Sequence, residues 1–157
     1  MKQFTRIFNI LSITTVFLVS CKKESSTIAR TDIAAFLRGK NWKLTAATVS
    51  PARRGVTDLY NTTYPSCQKD DINELRAANI FVLDNGAAKC DPADPQTQTG
   101  TWSYDGLYSF LYFTITGGGM NTFLNSIETN GNTFSGTSSE TDATGLSYTT
   151  TWVFTQQ

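Results

Sequence analysis

The residue types that most often carry enzyme chemistry are sparse in this sequence. The chain of 157 residues contains no histidine, which excludes a Ser-His-Asp triad, a Cys-His nucleophile pair, a histidine-ligated metal and a histidine pH switch. The neighbours Asp70 and Asp71 could form a calcium pair or an acid/base pair. An acidic loop start is the more common reason for such a pair, because calcium prefers oxygen ligands at spaced positions. We therefore expect no enzyme, no cofactor and no metal.

The first cysteine follows a segment typical of an exported protein. Lys2 and Arg6 precede an apolar stretch over residues 7–19. This stretch is too short and too polar to cross a hydrocarbon core of ~30 Å, so it predicts a signal peptide over residues 1–20. The residues Leu-Val-Ser-Cys that end at Cys21 resemble the bacterial lipobox, in which the cysteine is lipidated and becomes the mature N-terminus.

A lipid on Cys21 predicts an anchored protein of the cell envelope, because two or more acyl chains hold a protein stably on a membrane. Lys22 is not the Asp that retains lipoproteins at the inner membrane in the best-known sorting rule. By that resemblance we expect the outer membrane, on its periplasmic face or at the cell surface. Residues 21–31 are polar and predict a flexible tether, which leaves residues 32–157 as one folded domain.

The charge distribution excludes nucleic acid as a partner. Removal of the signal leaves 11 basic and 13 acidic residues. Every Lys and Arg lies at or before Lys89, so the remainder of the chain has nothing with which to neutralise phosphates. The many Thr residues after Gln96 suit half-buried pleated surfaces and predict β-structure.

One short helix and eight strands are predicted. Over residues 32–38 the apolar Ile33, Phe36 and Leu37 share one side, and Gly39 follows as a stop signal. Alternating or β-branched runs indicate the strands. They cover residues 42–49, 80–84, 87–90, 99–104, 108–115, 122–129, 132–137 and 147–154.

The connections between these strands alternate between short and long. Tight-hairpin signals stand at Asn85-Gly86, Asp105-Gly106 and Asn130-Gly131. The longer connections cover residues 50–79, 91–98, 116–121 and 138–146. In an up-and-down meander all tight turns then share one end and all long loops the other. The pattern predicts an eight-stranded antiparallel barrel closed near the helix and open at a loop-rich mouth, with a β-sandwich as the alternative.

Cys67 and Cys90 remain as an even pair once Cys21 is lipidated. In an exported protein such a pair predicts a disulfide. The barrel supports the same pairing, because both cysteines would lie at its mouth. A thiolate metal site is the alternative, but two ligands without histidine build it poorly.

An ordered set of motifs resembles the bacterial lipocalin-like lipoprotein domain. The motifs are Leu-x-Gly-Lys-Asn-Trp-Lys-Leu at 37–44, Cys-Gln-Lys-Asp-Asp at 67–71, Asp-Asn-Gly at 84–86, Cys-Asp at 90–91 and Gly-Thr-Trp at 100–102. The likeness covers residues 36–154. It implies a lipocalin-type barrel on a lipid anchor and names no substrate or catalytic residue.

The sequence departs from that family pattern at two places. Asn41 is an extra residue between Gly39 and Trp42 compared with the Gly-x-Trp of lipocalins. Residues 73–79 form a longer link than is usual, which allows an extra helical turn with Asp71 and Glu74 as a capping box.

Aromatic residues supply the clue to function. Within each of two predicted strands, the aromatic residues are separated by an even number of positions and therefore share one face, which we expect to point inward. These residues are Trp102, Tyr104, Tyr148, Trp152 and Phe154. The strand over residues 108–115 is apolar on both parities, so its orientation stays open. The predicted ligand-contacting residues are Trp102, Tyr104, Tyr112, Phe134, Tyr148 and Trp152.

Two functions follow from these features. The first is a barrel that binds a small apolar or amphipathic molecule, and the second is a non-catalytic interaction protein with a filled barrel that contacts protein or glycan. A cavity of several hundred Å³ would favour the first. A protein partner is not identified by the sequence.

Overall fold

The computed structural model describes residues 33–117 and 121–157. The predicted signal peptide, lipidation site and tether lie outside these residues. Among these residues there are two short α-helices, α1 (Ile33–Leu37) and α2 (Leu59–Thr62), and two 3-10 turns at Ser66–Gln68 and Ala77–Asn79. The strands are β1 (Asn41–Arg53), β2 (Val56–Asp58), β3 (Ile72–Leu75), β4 (Ile80–Asp84), β5 (Thr97–Asp105), β6 (Phe110–Ile115), β7 (Asn121–Asn130), β8 (Thr133–Thr141) and β9 (Ser147–Gln156).

Strand β1 closes the sheet into a barrel because it pairs with both ends of the meander. Its first residues pair with β3, and most of its length pairs antiparallel with β9. The remaining strands pair in chain order from β3 to β9. Strand β2 folds back on the upper part of β1 and lies outside this ring. The predicted eight-stranded antiparallel barrel with a short N-terminal helix is confirmed.

One predicted strand and one predicted hairpin are wrong. Residues 87–90 form no strand, and the missing barrel strand is β3, inside the segment predicted as a loop. Asn85-Gly86 therefore opens a loop over residues 85–96 and not a hairpin. Strand β4 already has β3 as its neighbour on that side, in register from Ile72 against Asp84, so residues 87–90 find no free edge. Because residues 72–75 are extended, Asp71 and Glu74 form no capping box, and the helical turn in the 73–79 link is a short 3-10 turn at Ala77–Asn79.

The short turns of the barrel do share one end. They lie at residues 76–79, 106–109 and 131–132, and the longer segments 59–71, 85–96 and 142–146 lie at the other end. The turns predicted at Asp105-Gly106 and Asn130-Gly131 are therefore confirmed. Asp105 stabilises the first of these by accepting hydrogen bonds from the amides of Leu107 and Tyr108.

Helix α1 closes the bottom of the barrel through Trp42, whose side chain is fully buried. The indole N–H of Trp42 donates to the carbonyl of Leu37 over 3.0 Å. Its ring lies 5.4 Å from Phe36 and 4.9 Å from Phe134, the latter edge-on. The predicted plug at the tight-turn end is thus present.

Gly100 allows strands β5 and β6 to approach closely. A Cβ at this position would lie 1.7 Å from the carbonyl oxygen of Thr114. The glycine of the Gly-Thr-Trp motif is therefore needed for space, and the Trp102 that ends the motif donates its indole N–H to the carbonyl of Arg76 across the β3–β4 turn.

Within residues 33–117 and 121–157, no helix combines the length and the apolar character needed to span a bilayer.

Candidate functional site

The mouth half of the barrel contains a cavity of about 320 Å³. Its apolar wall is formed by residues Leu44, Leu83, Phe113, Ile115, Leu124, Trp152 and Phe154. Its polar side is formed by Tyr64, Gln68, Asp71, Asn73, Asn85, Asp94, Gln98 and Thr122, with both cysteines at the rim. The volume lies at the lower end of the range for small-molecule sites. An apolar wall with a polar rim suits an amphipathic molecule.

Large side chains fill the barrel below the cavity and form its floor. Phe134 stacks on Phe154 at 4.7 Å, and Phe81 lies 4.9 Å from Phe113. Phe154 and Phe113 also line the cavity, so the floor rests directly on the packed core. The barrel is therefore filled at its closed end and hollow at its mouth.

The disulfide between Cys67 and Cys90 ties two mouth segments together, with a Cα–Cα distance of 5.1 Å. The predicted pairing is present. Cys67 belongs to the segment after α2, and Cys90 lies within the 85–96 loop and not at the end of a strand. The bond connects the loops that form one side of the cavity rim.

Asp70 joins the same two segments by hydrogen bonds. One of its carboxylate oxygens accepts from the amides of Ala87 and Ala88 at 2.7 and 3.0 Å. The hydrogen bond from the Ala87 amide stabilises the charged carboxylate and is the largest of the effects that lower the pKa of Asp70. A side chain at Gly86 would meet this carboxylate, since a Cβ there would lie 2.5 Å from its Cγ. Asp70 is therefore committed to holding the loop.

The 85–96 loop is held at both its base and its tip. Asn85 donates from its side chain to the carbonyl of Pro95 over 2.8 Å. Near the tip, the ammonium of Lys89 donates to the carbonyls of Pro92 and Asp94. This segment needs no regular secondary structure to hold a defined rim.

Tyr64 and Trp152 form an aromatic corner of the cavity. Their ring centres lie 6.4 Å apart in an edge-on arrangement. The indole N–H of Trp152 donates to the hydroxyl of Ser138 over 2.8 Å, which fixes the ring. Burial, together with the smaller effect of the negative charge of Asp71, raises the pKa of Tyr64 to about 12. Tyr64 is therefore a neutral hydroxyl at neutral pH.

Asp71 lies at the polar side of the same cavity. Burial, together with the smaller effect of the negative charges of Asp70 and Asp84, raises the pKa of its carboxyl to about 6. Asp84 itself accepts hydrogen bonds from Gly86 and Gln96. In the described part of the chain, the Asp71 carboxylate has neither an ion-pair partner nor a hydrogen-bond donor.

Trp152 is the member of the predicted ligand set that lines the cavity. Trp102 is buried but lies lower, where it packs in the core and caps the β3–β4 turn. Phe134 lies in the core beneath the cavity floor. These two inward-facing rings support the site from below and do not border its space.

The other three predicted residues lie elsewhere. Tyr104 packs against the core, and its hydroxyl is buried without a partner among the described residues. Tyr148 is buried nearer the rim, where its hydroxyl donates to Asp142 over 3.2 Å. Tyr112 alternates with the buried Leu111 and Phe113, so it faces outward, and this settles the strand orientation that the sequence left open. None of the three borders the cavity.

Several cavity residues escaped the sequence reasoning. Asn73 lies on β3 and is buried on the same side as Leu75, but the residue types of Ile-Asn-Glu-Leu at 72–75 do not alternate and gave no signal for this. Tyr64 lies in a connection without regular pattern and had no such signal. Asp71 was considered only for calcium or acid/base chemistry. No group of three or more metal-ligating side chains occurs among residues 33–117 and 121–157.

A family model for the lipocalin-like domain matches residues 37–136. This match covers more than half of the chain. The protein belongs to the lipocalin-like domain family. A lipocalin-like barrel fits the binding of small molecules in general, and the family typically consists of non-catalytic binding proteins. No curated protein matches the chain.

Proposed function

We propose that this lipocalin-like protein is a lipid-anchored lipoprotein of the cell envelope whose barrel binds a small apolar or amphipathic molecule. The cavity of about 320 Å³ at the mouth carries this proposal. A filled barrel would have favoured the interaction role, in which the outer surface contacts protein or glycan. A hollow that is apolar at the wall and polar at the rim instead favours a ligand in the interior.

The position of α1 suits the proposed anchor. Residue 33 enters the domain at the closed end, opposite the mouth. An extended chain from Cys21 to Ile33 spans at most about 40 Å. A lipid on Cys21 would therefore hold the closed end toward the bilayer and leave the mouth open to the surrounding compartment, which we propose is the outer-membrane surface or the periplasm.

Tryptophan fluorescence tests the binding role. We expect decanol or a sterol to shift the emission of the purified protein at micromolar concentrations, because Trp152 borders the cavity. Trp152→Phe should remove most of the shift, whereas the matched control Trp102→Phe should keep it, because Trp102 lies in the packed core. Native mass spectrometry of protein from its own host would identify a retained ligand. If no compound binds and none co-purifies, the interaction role replaces the binding role.

Cell fractionation tests the anchor separately. Cys21→Ser should release the processed protein from membranes or leave the signal uncleaved, because the acyl chains attach at this residue. A processed variant that stays with the membrane fraction would contradict the proposed lipidation.

A further inference from the structure

The charges around the cavity are unbalanced in a way that bears on its ligand. Asp71 and Asp94 line it, and of the described residues that border the space none is Lys or Arg. A carboxylate or phosphate head group would therefore meet two acidic residues and no basic side chain in the cavity lining. A neutral or cationic head group would not.

Asp71 is the acid in the cavity lining whose carboxylate is best placed to bind a ligand. Asp70 and Asp84 are neighbours of Asp71, but one carboxylate oxygen of each accepts hydrogen bonds from the 85–96 loop, and neither residue lines the cavity. Near Asp94, the ammonium of Lys89 bonds the Asp94 carbonyl at 2.7 Å, so a positive charge already stands beside that residue. Asp71 combines a place in the cavity wall with a carboxylate that has no partner among the described residues.

The surroundings of Asp71 favour a positive charge. The negative charges of Asp84 from β4 and of the adjoining Asp70 raise the pKa of Asp71, and the charge of Asp71 in turn raises the pKa of the Tyr64 hydroxyl. The positive charge of Lys43 from β1 lowers the pKa of Asp70. The nearby rings of Tyr64 and Trp152 add negative π-faces, which attract ammonium groups at close range.

Resting on the function proposed above, we propose that the cavity selects amphiphiles with a positively charged head group, such as an alkylammonium, and that Asp71 holds this head. The alkyl body would lie against the apolar wall of Leu44, Leu83 and Leu124. The ion pair between Asp71 and the head group, with the aromatic corner beside it, would give selectivity for a positive charge. The apolar surface that the alkyl body buries against the wall would supply affinity.

Three probes of equal chain length test this inference on the purified protein by calorimetry below their micelle concentrations: decyltrimethylammonium, decanol and decanoate. We expect the cation to bind about tenfold tighter than decanol, and decanoate to bind weakest, because the quaternary ammonium pairs with the Asp71 charge and the aromatic faces. Asp71→Asn should lower the affinity for the cation about tenfold and leave that for decanol unchanged. Glu128→Gln removes the same charge from the exposed side of β7 and should change neither.

The wild-type protein provides a second measurement that needs no variant. Because the charge of decyltrimethylammonium does not titrate, any change of its affinity with pH comes from the protein. Its affinity should fall from about pH 7.5 to about pH 5, because Asp71 gains a proton and loses its negative charge over that range. The affinity for decanol should stay constant over that range.

The outcomes separate the two proposals. If decanoate binds as tightly as the cation, if Asp94→Asn and not Asp71→Asn removes the preference, or if the cation affinity is independent of pH, the inference about Asp71 is overturned while decanol binding still supports the general role. If none of the three probes binds, the proposed function itself fails.

Discussion

Replacing Trp42 with alanine tests whether helix α1 and this ring close the barrel and support the cavity floor. The side chain is fully buried, and its indole N–H donates to the Leu37 carbonyl. Large aromatic to alanine changes in a core cost about 3–5 kcal/mol. The Leu37 carbonyl would also lose its donor, at about 1 kcal/mol. We therefore expect the free energy of unfolding to fall by about 4–6 kcal/mol.

Urea unfolding followed by circular dichroism measures this change. Trp42→Phe should cost about 2 kcal/mol, because it keeps most of the ring but loses the hydrogen bond. Trp152→Phe makes the same chemical change at a half-buried position in the cavity wall and should cost less than about 1 kcal/mol. A loss below about 1 kcal/mol for Trp42→Ala would show that the bottom is closed by other residues.

Three further changes test the rim, the sheet and the acid. Replacing Cys67 and Cys90 together with serine should lower stability by about 3 kcal/mol in the chain-entropy model, and equal urea midpoints for both proteins would contradict this. Gly100→Ala should lower stability by about 2 kcal/mol or more, because the new Cβ meets the Thr114 carbonyl, and an unchanged thermal midpoint would refute that contact. The fold favours protonated Asp71, since its pKa is raised to about 6, so stability should fall as the pH rises through that value. Asp71→Asn should add about 1 kcal/mol near neutral pH after allowance for its partial exposure, and nothing near pH 4, as urea unfolding at the two pH values will show.

The periodicity of the sequence predicted most of the barrel but not strand β3. Strands such as β5 and β9 alternate over nine and ten residues, and this length makes the pattern unambiguous. Strand β3 has four residues and carries Asn and Glu, so local pattern could not distinguish it from a loop. Its extended form depends on β1 and β4 as partners on both sides.

The candidate site was predicted less completely than the fold. Parity indicated which aromatic side chains face inward, and Trp102, Tyr148 and Phe154 are indeed buried. Parity does not give height along the barrel axis, so it could not separate rings in the packed half from those that border the hollow. Trp152 meets both conditions, and that distinction needed the register of all eight strands.

The sequence by itself determined seven of the eight barrel strands, the short helix, the cysteine pair and the family, because each depends on local spacing or on an ordered set of motifs. The tertiary structure decided where the interior is filled and which of two adjacent acids faces the cavity. Asp70 and Asp71 are adjacent in the chain, yet one is bonded to the amides of Ala87 and Ala88 and the other faces the cavity. That division depends on the return of a loop from more than fifteen residues away, which no local pattern records.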